Sequence, residues 1–302
     1  MGVVWLNGEL VPVEEAGVSP YSAALRYSHV VFDGFRAFVS PEQGAARLLA
    51  ARLHVERFRR SCELLGLRLR PADDELQEAV RTVLHAEAPD ATCAVRLFAW
   101  AGGTGFVDDG DAVTAVFLLP LEGYAPDRPL RVCFSRYVRP ADADLPRALK
   151  TPAQYVLARL AVTEARERGF DDALFLNEYG RVSEASRSTL LVLSGSTVVT
   201  PPTSEGVLPG VTRELVRRMC DAAGLEWRET PLDTGDVLEA EGAFLCSSSL
   251  GLAPIERVEQ RQLPTGTAAG RALLRSFEEA TEGRLADVDD LLEVVELAPV
   301  RA

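Results

Sequence analysis

Residues 149–155 read Leu-Lys-Thr-Pro-Ala-Gln-Tyr, and they contain the only lysine of the chain. The sequence has 32 lysine and arginine residues, and all of them except Lys150 are arginine. Arginine stays protonated and cannot act as an amine nucleophile, whereas lysine can do so once it loses its proton. The spacing of apolar residues over 151–168 predicts a helix directly after this lysine. Lys150 is therefore a candidate nucleophile, or else a surface residue left by a bias in composition.

The composition is that of a globular protein long enough for two domains. The 302 residues are 47% hydrophobic and 25% charged, which is ordinary for a folded soluble chain. A net charge of −13 argues against nucleic acid as a partner. The start of the sequence lacks a secretory pattern, and no apolar stretch approaches the length of a membrane span. We expect a cytoplasmic protein that binds small molecules, with neither nucleic acid nor membrane as a partner.

The cysteines and histidines do not form a metal-binding pattern. The three histidines are scattered, and the cysteines are odd in number and contain no CxxC pair. The cysteines are Cys62, Cys93, Cys133, Cys220 and Cys246. We expect reduced thiols in the core and no metal site.

Two blocks of strand and helix patterns divide the chain. Residues 1–120 predict a small α+β domain, and residues 121–129, which contain Gly and Pro, predict a linker. Residues 130–302 predict a larger mixed α/β domain that carries Lys150. The fold class expected for the whole chain is α/β.

Three local patterns give predictions that a structure can test. Asn7-Gly8 is typical of a two-residue hairpin turn, whereas Asp33-Gly34 is predicted to interrupt a β-rich run. The acidic end, residues 286–302, is predicted to be a helical tail at the surface.

Three further segments carry chemistry that complements an activated amine. Glu184 lies between two predicted strands, where a buried carboxylate requires a cationic partner. Thr212 follows a Pro-Gly turn at a predicted helix start, which offers backbone N–H groups and a hydroxyl to an anion. Residues 246–250, CSSSL, provide a second loop of hydroxyl groups. An amine, a carboxylate and a phosphate-binding turn together suggest pyridoxal phosphate as the cofactor.

These motifs resemble those of the fold type IV pyridoxal-phosphate enzymes, and most of all those of the branched-chain aminotransferases. The resemblance covers nearly the whole chain, and its segments occur in the order usual for the family. They are WLNGELVP (5–12), SAALRYSHVVFDGFRAF (22–38), LKTPAQY (149–155), DALFLNEYGRVSEASRSTLLV (172–192), TPPTSEGVLPGVTRELV (200–216) and FLCSSSLGLAPIERV (244–258).

The resemblance implies a fold, an activity and an assembly. The implied fold is type IV, and the implied activity is ping-pong transfer of an amino group between a branched-chain or other hydrophobic amino acid and a 2-oxo acid. The implied assembly is a homodimer, with each active site between the two domains of a chain and completed by a loop of the partner.

The resemblance also implies cofactor roles for individual residues. Lys150 corresponds to the lysine that carries the cofactor and moves the proton between the substrate Cα and the cofactor C4′. Glu184 corresponds to the carboxylate beside the pyridine nitrogen, and Tyr155 to the tyrosine that binds the phenolic oxygen. A solvated turn carboxylate and ordinary helix packing are the alternatives for Glu184 and Tyr155, respectively.

The phosphate group is expected to contact five residues. They are Arg52, Val211, Thr212, Ser247 and Ser248. Arg52 precedes a histidine by two residues, as in the family, but lies among other arginines and could instead be a surface charge. Thr212 could instead be only a helix cap.

The expected substrate contacts are less specific. They are Tyr27, Phe32, Arg36, Arg96, Tyr124 and Ser249. Arg96 corresponds to an arginine that the family uses near the substrate carboxylate, although a buried structural ion pair is the alternative. Core packing is the alternative for Tyr27 and Phe32.

Several positions depart from the family pattern. Residues 151–154 replace a glycine-rich stretch, and Ser247 replaces a glycine beside the phosphate. Ala94 stands where a tyrosine is usual, which predicts a larger substrate pocket. Ala185, Arg187 and Thr189 also replace residues usual in the family, namely glycines and an asparagine.

Other functions remain open at this point. A lyase of the same fold, such as an aminodeoxychorismate lyase, uses the same lysine, although the lyases lack a tyrosine at the position of Tyr155. An aminotransferase for D-amino acids or amines is a further alternative, and a non-catalytic binding module belongs to a different class altogether.

Overall fold

The computed structural model describes residues 2–107, 110–121 and 128–297. The chain separates into two compact units. Unit 1 comprises residues 1–122, 149–153 and 290–302, and unit 2 comprises residues 123–148 and 154–289. The α-helices are α1 (Ala23–Tyr27), α2 (Ala51–Leu65), α3 (Asp73–Glu87), α4 (Ala153–Glu167), α5 (Val211–Ala222), α6 (Thr234–Leu238) and α7 (Ala268–Thr281). The strands are β1 (Val3–Leu6), β2 (Glu9–Pro12), β3 (Val30–Ser40), β4 (Ala45–Leu49), β5 (Cys93–Ala101), β6 (Ala112–Pro120), β7 (Leu130–Val138), β8 (Asp172–Leu176), β9 (Val182–Ala185), β10 (Thr189–Ser194), β11 (Thr197–Thr200), β12 (Glu226–Glu229), β13 (Gly242–Ser247), β14 (Gly251–Val258), β15 (Arg261–Gln262) and β16 (Leu292–Glu296).

Unit 1 is built on an antiparallel sheet. Its strand order is β16-β4-β3-β5-β6-β1-β2 within the described residues, and every one of these pairs is antiparallel. The predicted hairpin at Asn7-Gly8 is confirmed, because Leu6 pairs with Glu9 across a two-residue turn. Asn7 and Gly8 both have positive φ, as the favoured hairpin turn requires.

The predicted interruption at Asp33-Gly34 is wrong, since β3 runs through both residues. A Cβ atom on Gly34 would lie 2.6 Å from Nη1 of Arg96 and 2.8 Å from the carbonyl oxygen of Val95. Glycine is therefore needed here because β5 approaches closely. It does not end the strand.

Within its described residues, 286–297, the acidic end is also not a helical tail. A 3-10 turn over Ala286–Leu291 leads into β16, which pairs antiparallel with β4. Leu292 faces Leu49 across this pair, and Val295 is buried. Burial of these apolar side chains outweighs the acidic composition that suggested a surface helix.

The compact units differ from the predicted domains at two segments. Residues 290–302 belong to unit 1, and so do residues 149–153, which include Lys150. The second segment is bound to β3, where Phe32 donates a backbone hydrogen bond to the carbonyl oxygen of Lys150. Thr151 Oγ1 donates to the carbonyl oxygen of Val30 at 2.8 Å. Backbone pairing with β3 thus places the lysine in unit 1, although unit 2 surrounds it in the sequence.

Unit 2 contains a mixed sheet. Its order is β12-β11-β10-β13-β14-β7-β8-β9 within the described residues, and β15 pairs with β14. The pairs β14·β7, β7·β8 and β11·β12 are parallel, and α4 connects the parallel strands β7 and β8. One face packs around Leu190, Leu245 and Ile255, and the other packs Leu193 and Phe244 with apolar side chains of α5 and α7.

The cysteines occupy the core, as predicted. All five are free and buried, and burial raises the pKa of the Cys62, Cys220 and Cys246 thiols to about 12. Among the described residues, no helix combines the length and apolar character needed to cross a membrane.

Candidate active site

Lys150 is held by its backbone between a helix and a strand of unit 1. Its N–H donates to Oγ of Ser61 on α2 at 3.1 Å, and its carbonyl oxygen accepts from the N–H of Phe32 on β3 at 3.2 Å. Its Nζ lies 4.7 Å from the centre of the Phe32 ring. The helix α4 begins at Ala153, three residues after the lysine. The structure therefore brings Phe32, one of the expected substrate residues, beside the candidate nucleophile.

The two arginines expected at the substrate share a sheet face with Phe32. Side chains alternate along a strand, so Phe32, Gly34 and Arg36 point to the same side of β3. Across the β3·β5 pair, Gly34 faces Arg96 and Arg36 faces Ala94. Burial lowers the pKa of Arg36. This face combines two guanidinium groups with an aromatic ring, and a small residue stands opposite Arg36.

Two of the predicted residues have exposed side chains, and a third is not among the described residues. Tyr27 is partly exposed, with its ring 5.2 Å from that of Phe106 and 5.7 Å from that of His29. The side chain of Arg52 is 57% exposed and pairs with Glu56 on the same helix. Tyr124 lies outside the described residues.

Glu184 is buried on β9 of unit 2, and a cation accompanies it. Arg139, which is also buried, donates from Nη2 to Oε1 of Glu184. The second carboxylate oxygen accepts the backbone N–H of Leu208 at 3.2 Å. The guanidinium of Arg139 lies 4.5 Å from the centre of the Phe175 ring. The alternative of a solvated turn carboxylate is therefore wrong, and Arg139 is the cationic partner that burial of Glu184 requires.

A second arginine lies near this pair. Arg147 is buried, and its Nε donates to the carbonyl oxygen of Leu145 at 3.2 Å. Burial, assisted by Arg139 and opposed by Glu184 and Asp142, lowers the pKa of Arg147 to about 10. The group thus stays protonated at neutral pH. Neither arginine is among the residues that the sequence analysis predicts for the site.

The start of α5 forms a cluster of hydroxyl and N–H groups in unit 2. Val211 and Thr212 are its first two residues, and its N-cap is Gly210, which has no side chain to bond the first N–H groups. Oγ1 of Thr212 lies 3.1 Å from Oγ of Ser248. Thr212 is therefore not the N-cap residue, and its hydroxyl is directed to the serine loop. A helix N-terminus with adjacent hydroxyl groups is suited to binding a phosphate.

The other predicted site residues of the loop 246–250 and of α4 are also in unit 2. Oγ of Ser247 accepts from Oγ of Ser188 and from the N–H of Leu250, both at 3.2 Å. Ser249 is half-buried in the turn after β13, and Tyr155 is half-buried in the first turn of α4.

Comparison with known proteins identifies the family. The sequence model of the family described as amino-transferase class IV matches residues 30–258, which is most of the chain. The chain belongs to the class IV aminotransferases. This class IV aminotransferase is 28% identical over 274 residues to the branched-chain-amino-acid aminotransferase of Salmonella typhimurium, and the match covers 87% of each chain.

Solved structures agree with the assignment. The branched-chain aminotransferase of Thermoproteus uzoniensis, solved with norvaline, is 27% identical with a TM-score of 0.92, and the match covers 97% of this chain and 99% of that one. The branched-chain amino acid aminotransferase of Thermobaculum terrenum, solved in its pyridoxal-phosphate form, is 26% identical with a TM-score of 0.89, and the match covers 97% and 98%. The predicted fold type IV is confirmed, and the chain is a pyridoxal-phosphate-dependent aminotransferase.

The residues of this class IV aminotransferase fit that cofactor chemically. The chain has one primary side-chain amine, at Lys150, and a buried carboxylate, Glu184, that suits a pyridine nitrogen. It also has a helix N-terminus whose Thr212 hydroxyl meets that of Ser248, which suits a phosphate.

Proposed function

We propose that this enzyme transfers the amino group of a branched-chain or other hydrophobic amino acid to a 2-oxo acid in two half-reactions. The observation that carries the proposal is the placement of the only lysine, with Nζ 4.7 Å from the Phe32 ring and its backbone bound to α2 and β3. A lysine fixed in this way is suited to acting repeatedly on one carbon atom.

Pyridoxal phosphate, when bound, supplies an aldehyde that condenses with amines and a ring that accepts the electron pair left at the substrate Cα. Lys150 supplies the amine that holds this group. With cofactor and substrate bound, Nζ of Lys150 would take the proton from the substrate Cα and would deliver it to C4′. Glu184 provides the negative charge that keeps the pyridine nitrogen protonated, and Arg139 fixes the carboxylate. Tyr155 binds the phenolic oxygen.

The phosphate is assigned to the groups at the start of α5 and in the serine loop. The N–H groups of Val211 and Thr212 and the hydroxyl groups of Thr212 and Ser248 are the main donors. Ser247 supports this loop through its bonds to Ser188 and Leu250. Arg52 is a further candidate for the phosphate, and its side chain is 57% exposed and pairs with Glu56.

The substrate assignment is supported by the sheet face that carries Phe32. The relatives are named for branched-chain amino acids, and one was solved with norvaline. The Phe32 ring stacks on Phe98 at 5.6 Å, which provides apolar surface for such side chains. Arg36 and Arg96 are candidates for the substrate carboxylates. Ala94, opposite Arg36, leaves room for larger side chains than a tyrosine would. Tyr124 and Ser249 remain further candidates.

The assembly and compartment are part of the proposal. A homodimer is supported by exposed apolar side chains in unit 1, among which Tyr21, Leu25 and Phe106 are each more than 60% exposed. Five free, buried cysteines support a reducing compartment such as the cytoplasm.

A half-reaction assay tests the proposal. The purified enzyme loaded with pyridoxal phosphate is mixed with leucine, valine, phenylalanine or alanine, without an acceptor. We expect stoichiometric conversion of the cofactor to its pyridoxamine form, fastest with the hydrophobic amino acids, and a 2-oxo acid product. Release of pyruvate from aminodeoxychorismate without conversion of the cofactor would show a lyase instead. Conversion only by D-amino acids or by amines would also contradict the proposal.

A further inference from the structure

A buried cluster on the helix side of the unit 1 sheet has no part in the proposed chemistry. Asp33 on β3 is fully buried and accepts four hydrogen bonds. Its Oδ1 accepts from Nδ1 of His54 at 2.8 Å, from Nη2 of Arg57 at 2.7 Å and from the N–H of Gly34 at 2.7 Å. Its Oδ2 accepts from Nε of Arg57 at 2.8 Å. A two-pronged arginine contact plus two further donors leaves this carboxylate a single orientation.

The protonation states of the cluster follow from these contacts. Burial alone would raise the pKa of Asp33, but Arg57 and His54 hold it well below its usual range. Burial lowers the pKa of His54, against the effect of Asp33, and the charges of Arg57 and Lys150 lower it too. His54 is therefore neutral at pH 7. An ionised carboxylate can only accept, so Nδ1 of His54 carries the proton.

The same helix and strand also hold Lys150. His54, Arg57 and Ser61 are spaced by three and four residues, so they lie on one face of α2. The first two bond Asp33, and the third accepts the N–H of Lys150. On the strand, the residue next to Asp33 is Phe32, whose N–H bonds the carbonyl oxygen of Lys150. The carboxylate cluster thus fixes α2 to β3 beside the two backbone bonds that fix Lys150.

We propose that Asp33, His54 and Arg57, together with Ser61, form a buried clamp that positions Lys150 over the Phe32 ring. These are positioning residues, since none of them is assigned a contact with cofactor or substrate. The inference rests on the proposed function for its purpose, because an amine that carries a cofactor and moves a proton must be held within a fraction of an ångström of its working position.

The test compares variants of α2 by the chemical reactivity of the only lysine. Asp33→Asn is the obvious change but leaves Arg57 without a charged partner, and the chain could fail to fold. His54→Leu removes the N–H at Nδ1 and keeps an apolar side chain. His54→Asn keeps an N–H at the position of Nδ1 and serves as the rescue. Ser61→Ala removes the acceptor of the Lys150 N–H. Val55→Ala, another buried change on α2, is the control for lost stability.

Two rates are measured on the folded full-length variants. The first is labelling of Lys150 by trinitrobenzenesulfonate in cofactor-free protein, with peptide mass mapping to separate it from the N-terminal amine. The second is the borohydride-trapped capture of pyridoxal phosphate at Lys150. His54→Leu and Ser61→Ala are expected to label at least about threefold faster, because the amine leaves the ring more often. They are expected to capture the cofactor about tenfold more slowly.

The controls decide between positioning and general destabilisation. His54→Asn and Val55→Ala should stay within about twofold of the wild type in both rates, even though Val55→Ala lowers Tm. Equal rates for His54→Leu and Val55→Ala would overturn the clamp, as would failure of His54→Asn to restore the rates. If His54→Leu does not fold, wild-type rates in Ser61→Ala overturn it. A wild type that captures no cofactor at Lys150 would refute the proposed function, whereas the labelling comparison would still decide the clamp.

Discussion

Arg139 donates a hydrogen bond from Nη2 to Oε1 of Glu184, and both side chains are buried in unit 2. The pair gives the buried carboxylate a cationic partner, since an unpaired charge there would be very unfavourable. Arg147 adds a second positive charge nearby. The carboxylate that we propose for the pyridine nitrogen therefore lies close to two buried arginines.

Arg139→Gln is expected to lower the free energy of unfolding by about 3 to 5 kcal/mol, because it leaves the buried Glu184 without its main partner. The measurement is urea unfolding at pH 7. Arg128→Gln is the matched control, because Arg128 makes two hydrogen bonds to Asp171 at the surface. The free energy of unfolding of the Arg128→Gln variant should fall by less than about 1 kcal/mol. Equal losses for the two variants would argue against a buried ion pair at Glu184.

The need for a cation beside Glu184 could be predicted from the sequence, but its identity could not. A carboxylate between two strands requires a partner, and the chain offers many arginines. Arg139 lies 45 residues away in the sequence, and the β7·β8·β9 pairing brings the two together. Composition and spacing do not encode that pairing. The role of Arg147 could not be predicted either, because nothing in its loop distinguishes a buried arginine from a surface one.

Thr212→Val is expected to weaken pyridoxal phosphate binding by about 1.5 to 3 kcal/mol, or roughly 10- to 100-fold in Kd, because a hydroxyl donor to a charged phosphate is lost. Helix stability should change little, since the N-cap of α5 is Gly210. The matched control is Thr267→Val. Oγ1 of Thr267 accepts the N–H of Gly270 as the N-cap of α7, so this variant should lose about 1 kcal/mol of stability with unchanged Kd. The opposite pattern would show that Thr212 is structural.

The stability of the enzyme is expected to fall between pH 7 and pH 5, partly through His54. The folded pKa of His54 is lowered by burial, so below about pH 6.5 the unfolded chain binds the proton first. Stability is thus present above that pH and is lost as pH falls through the folded pKa, by up to about 1.4 kcal/mol per pH unit. The folded pKa of Asp33 is also depressed. Its contribution to stability is lost only below about pH 4.

Urea unfolding of His54→Asn across this range isolates the effect. The variant should show a shallower decline than the wild type, while His85→Asn, at an exposed histidine of α3, should match the wild type. Identical slopes for all three proteins would contradict a neutral buried His54.

Arg96→Leu is expected to raise KM for 2-oxoglutarate and other acidic substrates. The rise should correspond to a loss of about 1 to 3 kcal/mol in binding free energy, because a charged hydrogen bond to a carboxylate is lost. The KM values for leucine and valine should change less. Steady-state kinetics with both substrate classes, together with Tm, provide the check. Equal losses for all substrates and a lowered Tm would show that Arg96 is a structural partner inside the protein.

The fold could be predicted where the signal is local and could not where it depends on distant pairing. The Asn7-Gly8 hairpin follows from the dipeptide alone. The sequence predicted an interruption at Gly34. The glycine is instead required by the close approach of Arg96 and Val95 on another strand, which the local sequence does not reveal. β16 was mistaken for a helix because its partner β4 lies more than 200 residues earlier. Residues 149–153 cluster with unit 1 because two hydrogen bonds to β3 override their position in the sequence.

Reduction by borohydride of the enzyme loaded with pyridoxal phosphate, followed by peptide mass mapping, tests most directly the claim that Lys150 carries the cofactor. Because Lys150 is the only lysine, we predict that the peptide containing residues 149–155 gains the mass of a reduced phosphopyridoxyl group. Lys150→Arg should bind the cofactor without this covalent label and should lose transamination, since guanidinium does not act as an amine nucleophile. An unmodified Lys150 peptide in fully loaded, reduced enzyme would contradict the account.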